Sequence, residues 1–292
     1  MPELVSGTVD LHCHPAPDII PRTDRDSEVA EACQVTGQRG FVIKSHVGST
    51  AERALLLQER FSDVSAIGSI TLNRPVGGAN PAAVEVAAQL GARVVWMPTL
   101  DSRTQRGSGT PPSGYQLPAW SDVHNEMTQK SGYGPAVEIL TDGKIRSEIH
   151  DVLDIVAEHD MLLGTGHLDA EEVTALIESA IQHGISRIMV THPDLPRQRI
   201  GIEEQREYAR RGAYIERCLS AIDRGKVDAS TTSSRIRDCG ITRTVVTTDL
   251  GQVGGGSIGD GMRRWCELLT EMEFTNNQIR IMSAENPWAL VK

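Results

Sequence analysis

Eight short apolar runs recur along this chain, each followed by a stretch with helical spacing. They are 8–12 (TVDLH), 41–47 (FVIKSHV), 64–72 (VSAIGSITL), 93–99 (RVVWMPT), 161–167 (MLLGTGH), 187–192 (RIMVTH), 213–219 (AYIERCL) and 243–249 (RTVVTTD). Runs this short and this apolar read as strands buried on both faces, and strands alternating with helices imply a parallel sheet. The fold class expected is α/β, a parallel eight-stranded (β/α)8 TIM barrel. An open doubly wound sheet is the alternative. At 292 residues the chain has the size of a single barrel.

Helix signals sit between the runs. Residues 27–38 open on Ser27 as a cap, 50–60 open on Thr50, and 80–90 start Asn80-Pro81 and stop at Gly91. Asp169 opens a pattern that ends at Gly184, and residues 145–158, 202–211 and 259–273 are helical in spacing. Residues 101–135 break the rhythm with Ser, Gly, Pro and Gln around Tyr115, Trp120 and Tyr133. A loop of that length in a compact domain is usually functional or disordered. It follows the fourth run, so it is expected to overhang the catalytic end as a lid. No repeat, low-complexity tract or linker divides the chain. One domain over 1–292 with a lid-like insertion at 101–135 is expected.

The charge of −10 argues against a nucleic-acid or anionic-membrane binder. Aromatics make up only 4% of the chain, so the core is expected to be aliphatic. The five cysteines include no C-x-x-C pair and read as reduced thiols of a cytoplasmic protein. The first residues lack a signal-peptide pattern, and no run reaches the roughly 20 apolar residues of a membrane span.

In a barrel, polar residues at strand C-termini form the active site. The first run ends Asp10-Leu11-His12-Cys13-His14. Regular alternation puts Asp10, His12 and His14 on one face and Val9, Leu11 and Cys13 on the other. Lys44 and His46 close the second run, His167 the fifth and His192 the sixth. Glu216 lies on the seventh and Asp249 ends the eighth. Ionisable groups inside a barrel are costly unless paired or metal-bound, and neutral imidazole is a common ligand for zinc and its neighbours. His124, His150, His159 and His183 fall in loop or helix patterns and read as solvated.

This pattern resembles the amidohydrolase superfamily: His-x-His on strand one, His on strands five and six, Asp on strand eight. The tail Ser283-Ala-Glu-Asn-Pro-Trp-Ala-Leu-Val291 is similar to the Asn-Pro terminal segment of those enzymes. The resemblance implies a divalent metal, Zn²⁺ first and Mn²⁺ as alternative, with one or two ions on His12, His14, His167, His192 and Asp249. Lys44 is a further candidate ligand, because strand four here offers neither Lys nor Glu. Asp249 is expected to ligate or to shuttle a proton; Lys44 and Glu216 join it as candidate catalytic residues. His46, Arg22, Arg74, Arg103 and Arg197 are candidate substrate contacts. Arginines at the barrel mouth suit an anionic group, and their alternative is ordinary pairing with Asp24, Asp26, Asp101 and Asp194. The expected activity is hydrolysis of an amide, lactam or ester in a small anionic substrate. The alternatives are phosphoester hydrolysis, metal-dependent decarboxylation and a non-enzymatic ligand-binding barrel. The partner expected is a small molecule, with no nucleic acid or membrane, and a homo-oligomer is compatible with the sequence.

Overall fold

A computed structural model describes residues 2–107 and 120–292 of the chain, with the side chains of Pro2 and Trp120 left aside. Tyr115 lies outside the described residues.

The strands are β1 (Val9–Cys13), β2 (Gly40–Ile43), β3 (Ser65–Ile67), β4 (Ser69–Thr71), β5 (Val94–Trp96), β6 (Leu140–Thr141), β7 (Lys144–Ile145), β8 (Leu162–Gly164), β9 (Ile188–Val190), β10 (Tyr214–Cys218) and β11 (Thr244–Thr247). All but the antiparallel β6–β7 hairpin lie in two parallel ladders, ordered β1-β2-β3 and β4-β5-β8-β9-β10-β11. Nine parallel strands are therefore described where eight were expected. The extra one arises because the run 64–72 is divided at Gly68, so β3 closes one ladder and β4 opens the other. Gly68 passes so near the start of the preceding helix, Ala51–Arg60, that a Cβ there would lie 2.7 Å from Ala51 Cα. At the other edges, β1 meets the end of β11. Asp249 N donates to His12 O at 2.7 Å, and His14 N to Leu250 O at 2.8 Å.

Most helices lie where the spacing puts them: Ala51–Arg60, Pro81–Gln89, Ser147–Glu158, Ala170–Gln182, Ile202–Arg210 and Ile258–Glu271. Asn80 and Asp169 cap theirs by accepting from Ala83 N and Glu172 N. The first long helix starts one residue before Ser27, at Asp26, with Arg25 at the cap position. Thr50 sits at a cap position, but its hydroxyl donates to Ile43 O instead, joining the helix start to β2. Among the described residues no helix is long and apolar enough to cross a membrane. All five cysteines are buried free thiols.

Val9, Leu11, Val42, Val94, Trp96 and Leu162 belong to one core cluster that draws on both ladders. Leu290 and Val291 close it from the C-terminal helix, Asn286–Val291. Asn286 anchors that helix by donating to Ile241 O and Thr244 O at 3.0 and 2.8 Å. The helices pack on the opposite strand faces through two larger clusters. Trp96 fills the inner cluster because Gly164 leaves room; a Cβ at Gly164 would lie 2.4 Å from the indole.

Candidate metal centre

β1 does not alternate regularly. Its pairing with β2 shifts between Asp10 and Cys13, so Leu11 and His12 together oppose one residue. That is a bulge, and it breaks the expected two-face pattern. Val9 and Leu11 pack into the inner cluster, whereas Cys13 packs among the helices and its thiol donates to Val42 O. Asp10 is not on the histidine face: it accepts from the Thr248 hydroxyl at 2.5 Å and from His12 N at 3.1 Å. The extra residue turns His12, and with it His14 two residues on, to the side of Val9 and Leu11 and away from Asp10.

Four of the imidazoles are fixed from behind. His12 Nδ1 donates to Glu216 Oε1 at 2.9 Å, and His14 Nδ1 to Lys44 O at 3.1 Å. His46 Nδ1 lies 2.9 Å from Thr99 Oγ1, in a network that Asn73 ties to His46 O. His192 Nδ1 donates to Gln198 Oε1 at 2.8 Å; the Gln198 amide nitrogen is committed to Gly166 O and Thr191 O, which fixes its orientation. His12 Nε2 and His14 Nε2 lie 3.3 and 3.2 Å from Asp249 Oδ1, and Lys44 Nζ reaches His12 Nε2 from below at 2.9 Å. Three atoms of metal-ligating type thus converge, a group that could hold a metal ion. The rings of His14 and His46 stack at 4.7 Å, and those of His167 and His192 lie 4.9 Å apart. All five histidines and Asp249 line the floor of one cleft of about 920 Å³.

Residues 7–216 match the model of a family of unknown function, DUF6282. The chain belongs to this family. No curated protein matches its sequence. Solved structures share its fold at low identity. An amidohydrolase from Pseudomonas aeruginosa aligns at TM-score 0.63 and 13% identity, over 99% of this chain and 97% of that one. The probable dipeptidase PvdM from Pseudomonas aeruginosa aligns at 0.64 and 10%, over 99% and 96%. A 2,6-dihydroxybenzoate decarboxylase from Rhizobium aligns at 0.59 and 12%, over 98% of each chain. This DUF6282 member therefore has the fold of the amidohydrolase superfamily.

Burial, reinforced by neighbouring cations, holds His14, His46 and His167 well below the ordinary imidazole value; burial also lowers His192. All four are neutral at pH 7, the form that ligates metal. Burial would raise Asp249, but His12, His14 and His192 outweigh it and hold the carboxylate well below its usual range. The same contest brings Glu216 down to about 2. Two centre residues, His192 (φ 27°) and Asp249 (φ 49°), hold a left-handed backbone that costs about 1–3 kcal/mol each.

These shifts set a pH dependence. The four depressed histidines bind protons only after unfolding, so the metal-free fold loses stability as pH falls below the unfolded imidazole value of 6.5. Glu172 and Asp10, raised by burial to about 7 and about 6, and Asp26, raised in the same sense, oppose them, each with one proton taken up by the fold above its unfolded value, but the four histidines outnumber them. Urea unfolding of metal-free DUF6282 protein at pH 7.5 and 5.5 is expected to give a clearly lower midpoint at 5.5. An unchanged or higher midpoint counts against neutral buried imidazoles.

Several expected roles change. Glu216 is fully buried behind His12, also accepting from the Thr247 hydroxyl and from His192 N, so it positions rings rather than facing the cleft. Lys44 is also buried, below the floor, with Nζ 2.9 Å from His12 Nε2 and 4.1 Å above the Trp96 ring. Of the four candidate arginines only Arg197 lines the cleft. Arg74 donates to Pro135 O and Ala136 O, and Arg103 pairs with Asp169 and Glu171. Arg22 pairs with Asp18 and lines a separate small recess beside His46. Local acceptors therefore explain Arg74 and Arg103, whereas Arg22, buried beside His46, keeps its Nη1 without a hydrogen-bond partner among the described residues. His124 is buried against Asp101 rather than solvated; His150 stacks on His183, and His159 meets Glu85. Ser220, whose hydroxyl donates to Asp249 Oδ2 at 2.8 Å, and the props Thr99 and Gln198 carried no sequence signal.

Proposed function

We propose that this chain is a metal-dependent hydrolase on a single closed (β/α)8 barrel, cleaving an amide, lactam or ester bond of a small anionic molecule. The observation that carries the reading is the convergence of His12 Nε2, His14 Nε2 and Asp249 Oδ1 within ligand distance of one another. Imidazole and carboxylate together suit Zn²⁺, with Mn²⁺ as alternative. His12, His14 and Asp249 would hold the ion, with His167, His192 and Lys44 beside them for a fuller set or a second ion. When bound, such an ion acidifies water and polarises a carbonyl.

The chain's own groups do the rest. Asp249, ionised and steadied by Ser220, accepts a proton at its carboxylate and passes it to the leaving group. Glu216 keeps His12 in one tautomer. Arg197, Arg224, Lys226 and Arg264 line the cleft against Asp223 and Asp260, a balance that favours an anion. Thr104 and Gln105 line it from the start of the 101–135 insertion, which supports a lid role for that segment. Decarboxylation is the second reading, favoured by the likeness to the 2,6-dihydroxybenzoate decarboxylase.

Protein purified without chelator is expected to carry one or two equivalents of Zn²⁺ or Mn²⁺ by elemental analysis. It should turn over members of a panel of N-acyl amino acids, lactones and aryl carboxylates only when metal-loaded. Uptake of ¹⁸O from water marks hydrolysis, and release of CO₂ marks the second reading. Failure to bind either metal sinks both.

A further inference from the structure

β10 carries two adjacent charged residues, Glu216 and Arg217, that point to opposite faces of the sheet. Both are buried, and both reach the same turn, His192-Pro193-Asp194, which follows β9. On the cleft side Glu216 Oε2 accepts from His192 N at 2.8 Å. On the helix side Arg217 Nη1 donates to both carboxylate oxygens of Asp194, at 2.8 and 2.9 Å. The Arg217 side chain is 0% exposed and that of Asp194 4%. Arg217 is itself held by Gln205 Oε1 at 2.8 Å and by Arg235 O at 3.3 Å, and Arg235 makes a second ion pair to Asp194.

The turn needs holding. His192 sits at φ 27°, a conformation that a residue with a Cβ leaves unless its surroundings oppose it. Glu216 holds the backbone N–H at one end of the turn, where Gln198 holds the ring; Arg217, with Arg235, holds the other end, two residues on. A buried ion pair is weak evidence for stability, since apolar packing often serves as well, but its directional bonds fix geometry.

We infer that Arg217 is a positioning residue for His192, acting through Asp194 from the far side of the sheet. This rests on the metal reading only in so far as His192 serves the metal. The strand β10 thus works as a clamp: Glu216 sets the backbone of His192 and the tautomer of His12, and Arg217 stops the turn from relaxing.

The test uses full-length metal-free protein with Co²⁺ as the probe. Arg217→Lys keeps the charge but loses the planar guanidinium that reaches Asp194 and Gln205 through Nη1 and Arg235 O through Nη2, and Arg217→Met keeps the stem and loses the charge. Each is expected to weaken Co²⁺ binding about 10–100-fold and to alter the Co²⁺ absorption spectrum. In a His192→Ala background the same substitutions should add no further loss. An equal loss in both backgrounds overturns the inference, because support of the whole fold does not depend on His192. If Arg217→Met does not fold, Arg217→Lys and Asp194→Asn decide alone. A second arm needs no metal: in ¹⁵N–¹H spectra of the imidazoles, Arg217→Lys should move the His192 signals and leave those of His14 and His46 in place. Uniform movement, or none, overturns the clamp. Wild-type protein that binds no Co²⁺ sinks the metal reading instead, and this arm still decides the clamp.

Discussion

Replacing His12 or His14 by alanine, or Asp249 by asparagine, is expected to abolish turnover and to weaken Zn²⁺ binding by more than about 100-fold, beyond the range typical of outer-shell partners. The three groups supply the converging acceptors, and none can be replaced by rotation of a neighbour. His12 and His14 are pinned through Nδ1, and Asp249 through its own backbone N–H and the Ser220 hydroxyl. The fold should survive, because His14 and Asp249 lie beyond the ends of β1 and β11, and His12, within β1, borders the cluster built on Leu11, Val94 and Trp96 without being one of its apolar members. His12→Ala is the most costly for stability, since it leaves the buried Glu216 carboxylate with one partner fewer. Elemental analysis, turnover and urea unfolding check the three together. Near-normal activity in the variants after metal removal would end the hydrolase reading.

The parallel sheet and the centre's main residues were legible because both leave periodic marks. Short apolar runs alternate with helices, and polar residues recur at one end of those runs. What could not be read depends on single-residue geometry. The bulge in β1 changes which side chains share a face, and no residue in Asp10-Leu11-His12 announces it. Gly68 looks like any glycine in a strand, yet its approach to Ala51 splits that strand between two ladders. Arg74 and Arg103 lie outside the cleft lining for a different reason. Position after a strand says that a side chain is near the mouth, but whether it faces a substrate depends on local acceptors. For Arg74 these are two backbone carbonyls some sixty residues away, at Pro135 and Ala136. Glu216 and Lys44 carried the right alignment with the site and the wrong depth: strand parity gives the face, not the height along it.

Lys44→Arg is expected to lower turnover by at least the order of 100-fold that accompanies ångström-scale misplacement in a site. Lys44 is 0% exposed and seats its ammonium between His12 Nε2 and the face of Trp96. Burial lowers it to about 8, with Asp249 and Glu216 holding it up, so a neutral amine lies within reach of physiological pH. A guanidinium has no such access to a neutral form and is a broad plane rather than a point. It cannot widen the space by moving Trp96, because the indole rests where Gly164 has no side chain and the strand behind it is fixed. Overpacking of this kind costs about 1–3 kcal/mol in stability. Lys44→Met separates the two effects, since it retains the stem on Trp96 and removes only the nitrogen. Turnover lost in Lys44→Met with stability kept assigns the chemistry to the amine. If the amine acts as a carboxylated ligand, bicarbonate added with metal should speed reconstitution of the metal-free wild type and leave Lys44→Met unchanged. A Lys44→Arg protein of full activity removes Lys44 from the mechanism, and the ion would then rest on the histidines and Asp249 alone.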